Sequence, residues 1–381
     1  MIARKIPAIY NLLLISLFFG LLSAPAIKMF SSEKMVFSLA EKRALASIPA
    51  PPESLFQVDL YFSNLGTYLD DHFGFREFFI YRYQRETRKR FGTTGDETNT
   101  LQGIDNWFYL GQPQMLSDFA GKEQLSEAKL ERWAAKYRTK KQWLKQHDIQ
   151  YLLIIPPDKE SVYPEFVMHS WEKFQGKGKL QQLIERYPEI NETELLDLGS
   201  RLKKHKEEPL FFKSDTHWTP FGAYTAYLII AENIEKKFPS TSFKKDFRFS
   251  KQQTRHCSSE ENRCGDLTKM LLDFEPFDES FRKLSKYKKC SHIAPTDYSL
   301  TNLSTKIIRS SITSKCDQAD LKAVVFRDSF SVELEPFFSE NFKQVVYLWK
   351  DYDQNNVEEI LRFFKPDIVI EEVVERNLSF N

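Results

Sequence analysis

Four uninterrupted apolar runs constrain this chain more than any other feature. They are "YLLII" at 151–155, "AVVF" at 323–326, "VVYLW" at 345–349 and "IVI" at 368–370. A strand with one wet face alternates apolar and polar residues. Runs without alternation suit strands buried on both faces, as in a parallel sheet covered by helices. The segments between them carry helical spacing. Ser126 to His147 lines up Leu130, Trp133, Tyr137 and Leu144 on one side, and 178–186, 220–238, "PFFSENF" and "VEEILRFFK" also read as helices. "TELLDLG" adds a short strand. This alternation predicts an α/β domain over 122–381 with a mainly parallel central sheet flanked by helices. Residues 243–320 interrupt it. They are polar, hold every cysteine, and read as an irregular insertion near the site.

The first thirty residues have a different character. Arg4 and Lys5 precede an uncharged stretch, Ile6 to Ile27. As a helix it would span roughly 33 Å, enough for a bilayer core. The basic flank favours a cytoplasmic start and export of the rest. The expectation is a single-pass anchor over residues 1–30, holding the protein at the periplasmic face of the inner membrane. The alternative takes "SAPAI" as a cleavage site, leaving a soluble periplasmic protein. Residues 31–54, with "SIPAPPES", read as a linker. Residues 55–121 read as an aromatic helical lead-in, with His72 structural and Trp107 and Tyr109 of "GIDNWFYLG" packed inward. The formal net charge is +1, and Lys and Arg are spread along the chain. That provides no field for nucleic acid.

Four cysteines suit an oxidising compartment, and an even number predicts two disulfides. The local pairing Cys257–Cys264 and Cys290–Cys316 is preferred among the three possible. A zinc site using His256, His292 and these thiols is the alternative, although the spacing matches no standard zinc motif.

The chemistry concentrates in "FFKSDTHWTPFGAY", residues 211–224. Thr219 followed by Pro220 is a helix start: a capping hydroxyl, then a residue preset for the first turn. Asp215 and His217 therefore sit on the connection entering a helix. One residue apart in extended geometry, they project to one face. A carboxylate there can fix the imidazole tautomer and steady its charged form. A capping network and half of a metal site are the competing readings. A nucleophile would stand where a sheet strand ends, and "AVVFRDSF" offers Ser329 at a helix start, where amides can stabilise an oxyanion. There Asp328 and Ser331 compete with Ser329 as plain caps.

Taken together, "FFKSDTHWTPFGAY", "IIPPDKESVYPE" and "VVFRDSF" resemble the periplasmic alginate O-acetyltransferase family, whose catalytic domain is SGNH-hydrolase-like. "DDHFGFRE", "GIDNWFYLG", "CGDLTKML" and "KPDIVIEEVVER" match its pattern in the same order, so the resemblance covers roughly residues 50 to 381. It implies a triad of Asp215, His217 and Ser329, in an order that looks circularly permuted against ordinary SGNH hydrolases. It implies acetyl transfer to a polysaccharide hydroxyl through an acyl-serine. It also implies an acetyl donor delivered by a membrane-bound O-acyltransferase, beside which an anchored domain would sit, and no cofactor or metal. Many members carry Gly two residues before the Ser; here Arg327 stands there, either supplying a cation or pairing with Asp328 or a late Glu. Trp218 and Tyr224 are further candidates for substrate contact. Glu371 and Arg376 are candidates to line the site, with structural ion pairing as the competing reading. Two other functions fit the same residues: an esterase of this fold, and a non-catalytic polysaccharide-binding subunit whose exposed aromatics, Trp218 included, stack on sugars.

Overall fold

The apolar runs become neighbouring strands in the computed structural model, which describes residues 5–31, 36–38, 43–91, 99–167, 175–191, 193–261, 264–271, 274–295 and 311–380. Arg4 and parts of the 31–54 and 243–320 segments lie outside the described residues. The chain divides into two compact units. One is Met1–Thr100 with Ser258–Arg263 and Thr268–Glu275; the other is Leu101–Cys257 with Cys264–Leu267 and Pro276–Asn381.

In the first unit, helix α1 (Lys5–Ser31) contains the apolar stretch. Its Tyr10–Ser31 portion is long and apolar enough to cross a membrane, which makes it a candidate anchor. Helices α2 (Val58–Asp71) and α3 (Arg76–Phe91) carry the aromatic lead-in. They are separated by a break at which Phe75 adopts a left-handed φ of 66°. The segment expected as a linker is tied down where it is described. Phe37–Ser38 pairs antiparallel with Arg43–Ala44, and the Ala46 N–H donates to Asp71 Oδ2 at 2.8 Å. His72 Nε2 meets Ala46 O at 2.9 Å, the structural role expected for it.

The second unit is built on a seven-stranded sheet. Its strands are β1 (Gln150–Ile155), β2 (Leu195–Asp197), β3 (His292–Pro295), β4 (Ile312–Lys315), β5 (Lys322–Arg327), β6 (Gln344–Trp349) and β7 (Ile368–Glu372). Their spatial order is β2-β1-β7-β5-β6-β4-β3. The first five are parallel; β4 and β3 add an antiparallel edge. The sheet is therefore mixed, and both antiparallel strands come from the stretch expected to be an irregular insertion. β3, the outermost strand, is exposed along its length, whereas β4 is paired on both sides and β5 is buried.

Alternate residues of each central strand feed two cores. Leu152, Ile154, Val325, Tyr347 and Ile370 pack with helix α4 (Pro220–Lys237) and Phe330. Leu153, Ile155, Val324, Phe326 and Val369 pack on the opposite face, where the helices Glu127–Gln146, Lys179–Arg186 and Gln354–Leu361 supply Leu130, Tyr137, Leu183 and Val357. The expected caps are in place. Ser126 Oγ accepts from Lys129 N, and Thr219 Oγ1 accepts from Gly222 N. Tyr109 and Trp107 are buried, with the Tyr109 hydroxyl donating to Tyr163 O at 2.8 Å.

Candidate active site

Strand β5 ends at Arg327, and the chain turns into a short 3-10 helix, Ser329–Glu333. Asp328 caps that helix: its Oδ1 accepts from Phe330 N at 2.9 Å, and its Oδ2 accepts from Val374 N at 3.0 Å. Its own amide donates to Glu372 Oε2 at 3.0 Å. The turn is thus stapled to the end of β7, and the cap role goes to Asp328, which leaves the Ser329 hydroxyl free of it.

That hydroxyl meets His217 Nε2 at 2.7 Å. The other ring nitrogen, Nδ1, lies 2.7 Å from Asp215 Oδ1. With Nδ1–H donated to the carboxylate, Nε2 is left as an acceptor for the Ser329 hydroxyl. The His217 side chain is 27 % exposed, enough to be reached from solvent. Its ring rests on Phe330, with centroids 4.9 Å apart. Asp215 also accepts from His217 N at 3.0 Å and from Asp266 N at 2.9 Å. Burial works against its charged form, but the hydrogen bond and charge of His217 and the two amides outweigh that. Its carboxyl is held well below the usual carboxylate range.

Three side chains fix this loop from a distance, and none was singled out from the sequence. Asp266 accepts from Thr216 N and Thr216 Oγ1, both at 2.7 Å. Glu279, buried and paired with Arg255 at 2.7 Å, accepts from Ser214 Oγ at 2.6 Å. Lys159, 3 % exposed, donates to Phe212 O, Lys213 O and Asp215 O at 2.9, 3.0 and 2.7 Å. Burial pulls the Lys159 ammonium down to about 8, against the opposing pull of Asp215, Asp266, Glu279 and Glu160. Gly265 permits the approach of Asp266, since a Cβ there would lie 2.3 Å from Ser214 O. Asp215, His217 and Asp266 cluster closely enough to hold a metal ion, yet their nitrogens and oxygens are taken up by the hydrogen bonds above. The cluster is a closed hydrogen-bonded network in its geometry. The four cysteines form the two expected disulfides, which removes the thiols from any zinc site; His256 Nδ1 meets Asp278 Oδ1 at 2.8 Å.

Several candidates from the sequence stand elsewhere. Trp218 is buried at 1 % exposure, with its indole N–H donating to Phe330 O at 3.1 Å, so it is a support for the loop and not an exposed sugar platform. Tyr224 packs among Phe247, Phe249 and Phe337 and donates its hydroxyl to Lys245 O. Arg327 is buried, paired with Glu335 at 2.9 Å, its guanidinium 4.5 Å from the Trp349 ring centroid. Glu371 faces the opposite side of the sheet, where Lys140 and Tyr151 hold it. Arg376 pairs with Asp158 and lies over the Phe330 ring. Arg376, Asp158, Glu160 and Glu375 line a cavity of about 300 Å³. Burial, then the charge of Asp158, pushes Glu160 and Glu375 up to about 8.

Residues 100–298 match the family described as "SGNH hydrolase-like domain, acetyltransferase AlgX". This chain belongs to that family. The matched segment contains Asp215 and His217 and ends before Ser329. "Probable alginate O-acetylase AlgJ" of Pseudomonas putida is 29 % identical over 136 residues, 35 % of this chain and 34 % of that protein. The chain thus spans about a third of the length of this curated relative. Bacillus cereus PatB1 superposes with a TM-score of 0.51 at 12 % identity, over 74 % of this chain and 98 % of that one, a likeness of fold. The O-acetyltransferase domain of Pseudomonas putida AlgJ aligns over 73 % of this chain and 91 % of its own, at 18 % identity and a TM-score of 0.39.

Proposed function

We propose that this acetyltransferase-family chain is an exported polysaccharide O-acetyltransferase working through Asp215, His217 and Ser329. The observation that carries the reading is His217 bridging the other two, at 2.7 Å on each side. Ser329 Oγ gives its proton to His217 Nε2 and attacks the carbonyl carbon of an acetyl donor. Asp215 stays ionised and steadies the imidazolium. The Ser329 amide, at the start of its helical turn, is the natural donor to the developing oxyanion. The tetrahedral intermediate collapses, the leaving group takes the proton from His217, and acetyl-Ser329 remains. A sugar hydroxyl then passes its proton to His217 and attacks the acetyl-serine. Collapse returns the proton to Ser329 Oγ and releases the acetylated polymer. The aromatic ring of Phe330 under His217 keeps the imidazole in line between its partners.

A polysaccharide acceptor is supported by the acetyltransferase family and by the likeness to a probable alginate O-acetylase. Helix α1 as an uncleaved anchor would hold the domain at the periplasmic membrane face, near a membrane-bound O-acyltransferase that supplies acetyl groups. The test compares the acetyl content of the cell's polysaccharide with wild-type chain and with Ser329→Ala, after checking that both accumulate equally. Loss of acetyl groups is expected; unchanged acetylation with Ser329→Ala overturns the assignment.

A further inference from the structure

Between Leu55 and Tyr83, ten bulky apolar side chains are exposed, from Phe75 at 42 % to Phe56 at 97 %. Over the described residues from 101 to 380, only Ile293, Val332, Trp349 and Phe363 are comparably exposed. A water-facing surface does not concentrate aromatic rings in this way. Scattered exposed apolar residues are ordinary, but this density within one segment of two short helices, the turn before them and the break between them implies a non-aqueous neighbour.

The position of the rings within their unit says which neighbour. The α2–α3 break is pressed onto the C-terminal end of α1. A Cβ at Gly74 would lie 2.0 Å from Pro25 O, so only glycine lets the two backbones meet there. Phe73 and Phe75 flank that contact, and Phe78 and Phe79 open α3 directly after it; all four are exposed. Four of the exposed rings therefore lie beside Pro25, in the last two turns of the apolar helix Tyr10–Ser31. Further along α3 the character changes. The helix carries six basic residues (Arg76, Arg82, Arg85, Arg88, Lys89 and Arg90) against Glu77 and Glu86. At 100° per residue, Arg82, Arg85 and Lys89 fall on the same side as Phe78. Rings beside a membrane-crossing helix, followed by an excess of cations, match the two layers of a bilayer surface: the acyl boundary and the anionic headgroups.

We propose that the α2–α3 hairpin is an interfacial membrane collar around the exit of α1. Phe73, Phe75, Phe78 and Phe79 enter the headgroup–acyl boundary, and Arg82 and Lys89 lie against anionic headgroups. The collar rests on α1 remaining attached as an anchor. It does not depend on the acetyl chemistry.

The natural cysteines are all paired, so one introduced cysteine is the sole free thiol. Full-length protein carrying Phe78→Cys is spin-labelled and placed in nanodiscs of phosphatidylethanolamine and phosphatidylglycerol. Collisions with oxygen and with a water-soluble nickel chelate report depth. Leu17→Cys in α1 and the exposed Lys251→Cys serve as lipid and water references. The expected result at 78 is loss of nickel contact and gain of oxygen contact relative to 251, with the shift reduced when phosphatidylglycerol is omitted. Nickel contact at 78 equal to that at 251, with 17 in lipid, overturns the collar alone. Nickel contact at 17 as well overturns the anchor and the collar with it. Dipolar broadening at 78 that vanishes on dilution with unlabelled protein assigns the surface to a second copy and overturns the proposal.

Discussion

Lys159→Met is the most informative single change to this site. Methionine keeps the length and the apolar stem, which run beside the rings of Trp107 and Tyr109, with Nζ 5.7 and 5.3 Å from their centroids. It deletes three donated hydrogen bonds. Lys213 O keeps the Phe108 amide as a partner, at 2.9 Å; Phe212 O and Asp215 O lose the donor described for them. Each stranded carbonyl costs about 1–3 kcal/mol. Removing a buried cation gives part of this back, since burial already disfavours the charge. The net loss is about 1–3 kcal/mol, and it falls on the backbone that carries Asp215 and His217. If that loss is felt in aligning the imidazole, kcat drops by about 10- to 100-fold. The assay is hydrolysis of a chromogenic acetyl ester, with kcat and KM measured separately across pH, alongside thermal melting. The expected outcome is a lower kcat with little change in KM. Wild type also loses a donor to the loop as pH rises through about 8, where Lys159 titrates, and this alkaline decline is absent from the variant. A variant that melts earlier but keeps the wild-type kcat and pH profile would refute the reasoning, reducing Lys159 to a strut.

Two other perturbations act on different groups. Asp215→Asn turns one of two acceptor oxygens into a donor facing an N–H and no longer favours Nδ1–H on His217, so kcat for ester cleavage should fall on the order of 10³- to 10⁴-fold, with a lowered melt. Glu160 titrates near 8 in the fold and at about 4.3 when unfolded, so its contribution to stability is present below about 4.3 and lost as pH rises through 8. Glu160→Gln should therefore melt progressively higher than wild type between pH 5 and pH 9; a constant offset in melting temperature across that range contradicts this account.

Most of the sheet was legible because burial on both faces leaves a plain mark on a strand. β1, β5, β6 and β7 coincide with the four apolar runs. β3 and β4 were not legible: β3 is an exposed edge strand, and β4, though paired on both sides, is a four-residue ITSK with one apolar residue, so neither carries that mark. The Asp–His pair could be placed through Thr219–Pro220, a local signal, and Ser329 through the strand that precedes it. The supports of the loop were invisible for the opposite reason. Lys159, Asp266 and Glu279 lie more than forty residues from the groups they hold, and nothing local records their direction. Trp218 is buried, against the expectation of an exposed ring, because Phe211, paired with it across an isolated bridge, draws it into the core. Glu371 was avoidable: period-two counting along β7 puts it on the face opposite Glu372, which supports the Ser329 turn.

The Cys257–Cys264 bridge closes a seven-position loop that ends one residue before Gly265 and two before Asp266. A reduced chain carries the same Asp215, His217 and Ser329 but lacks the tether that delivers Asp266 to them. The bridge is thus a covalent brace behind the hydrogen bonds that Asp266 shares with Thr216 and Asp215.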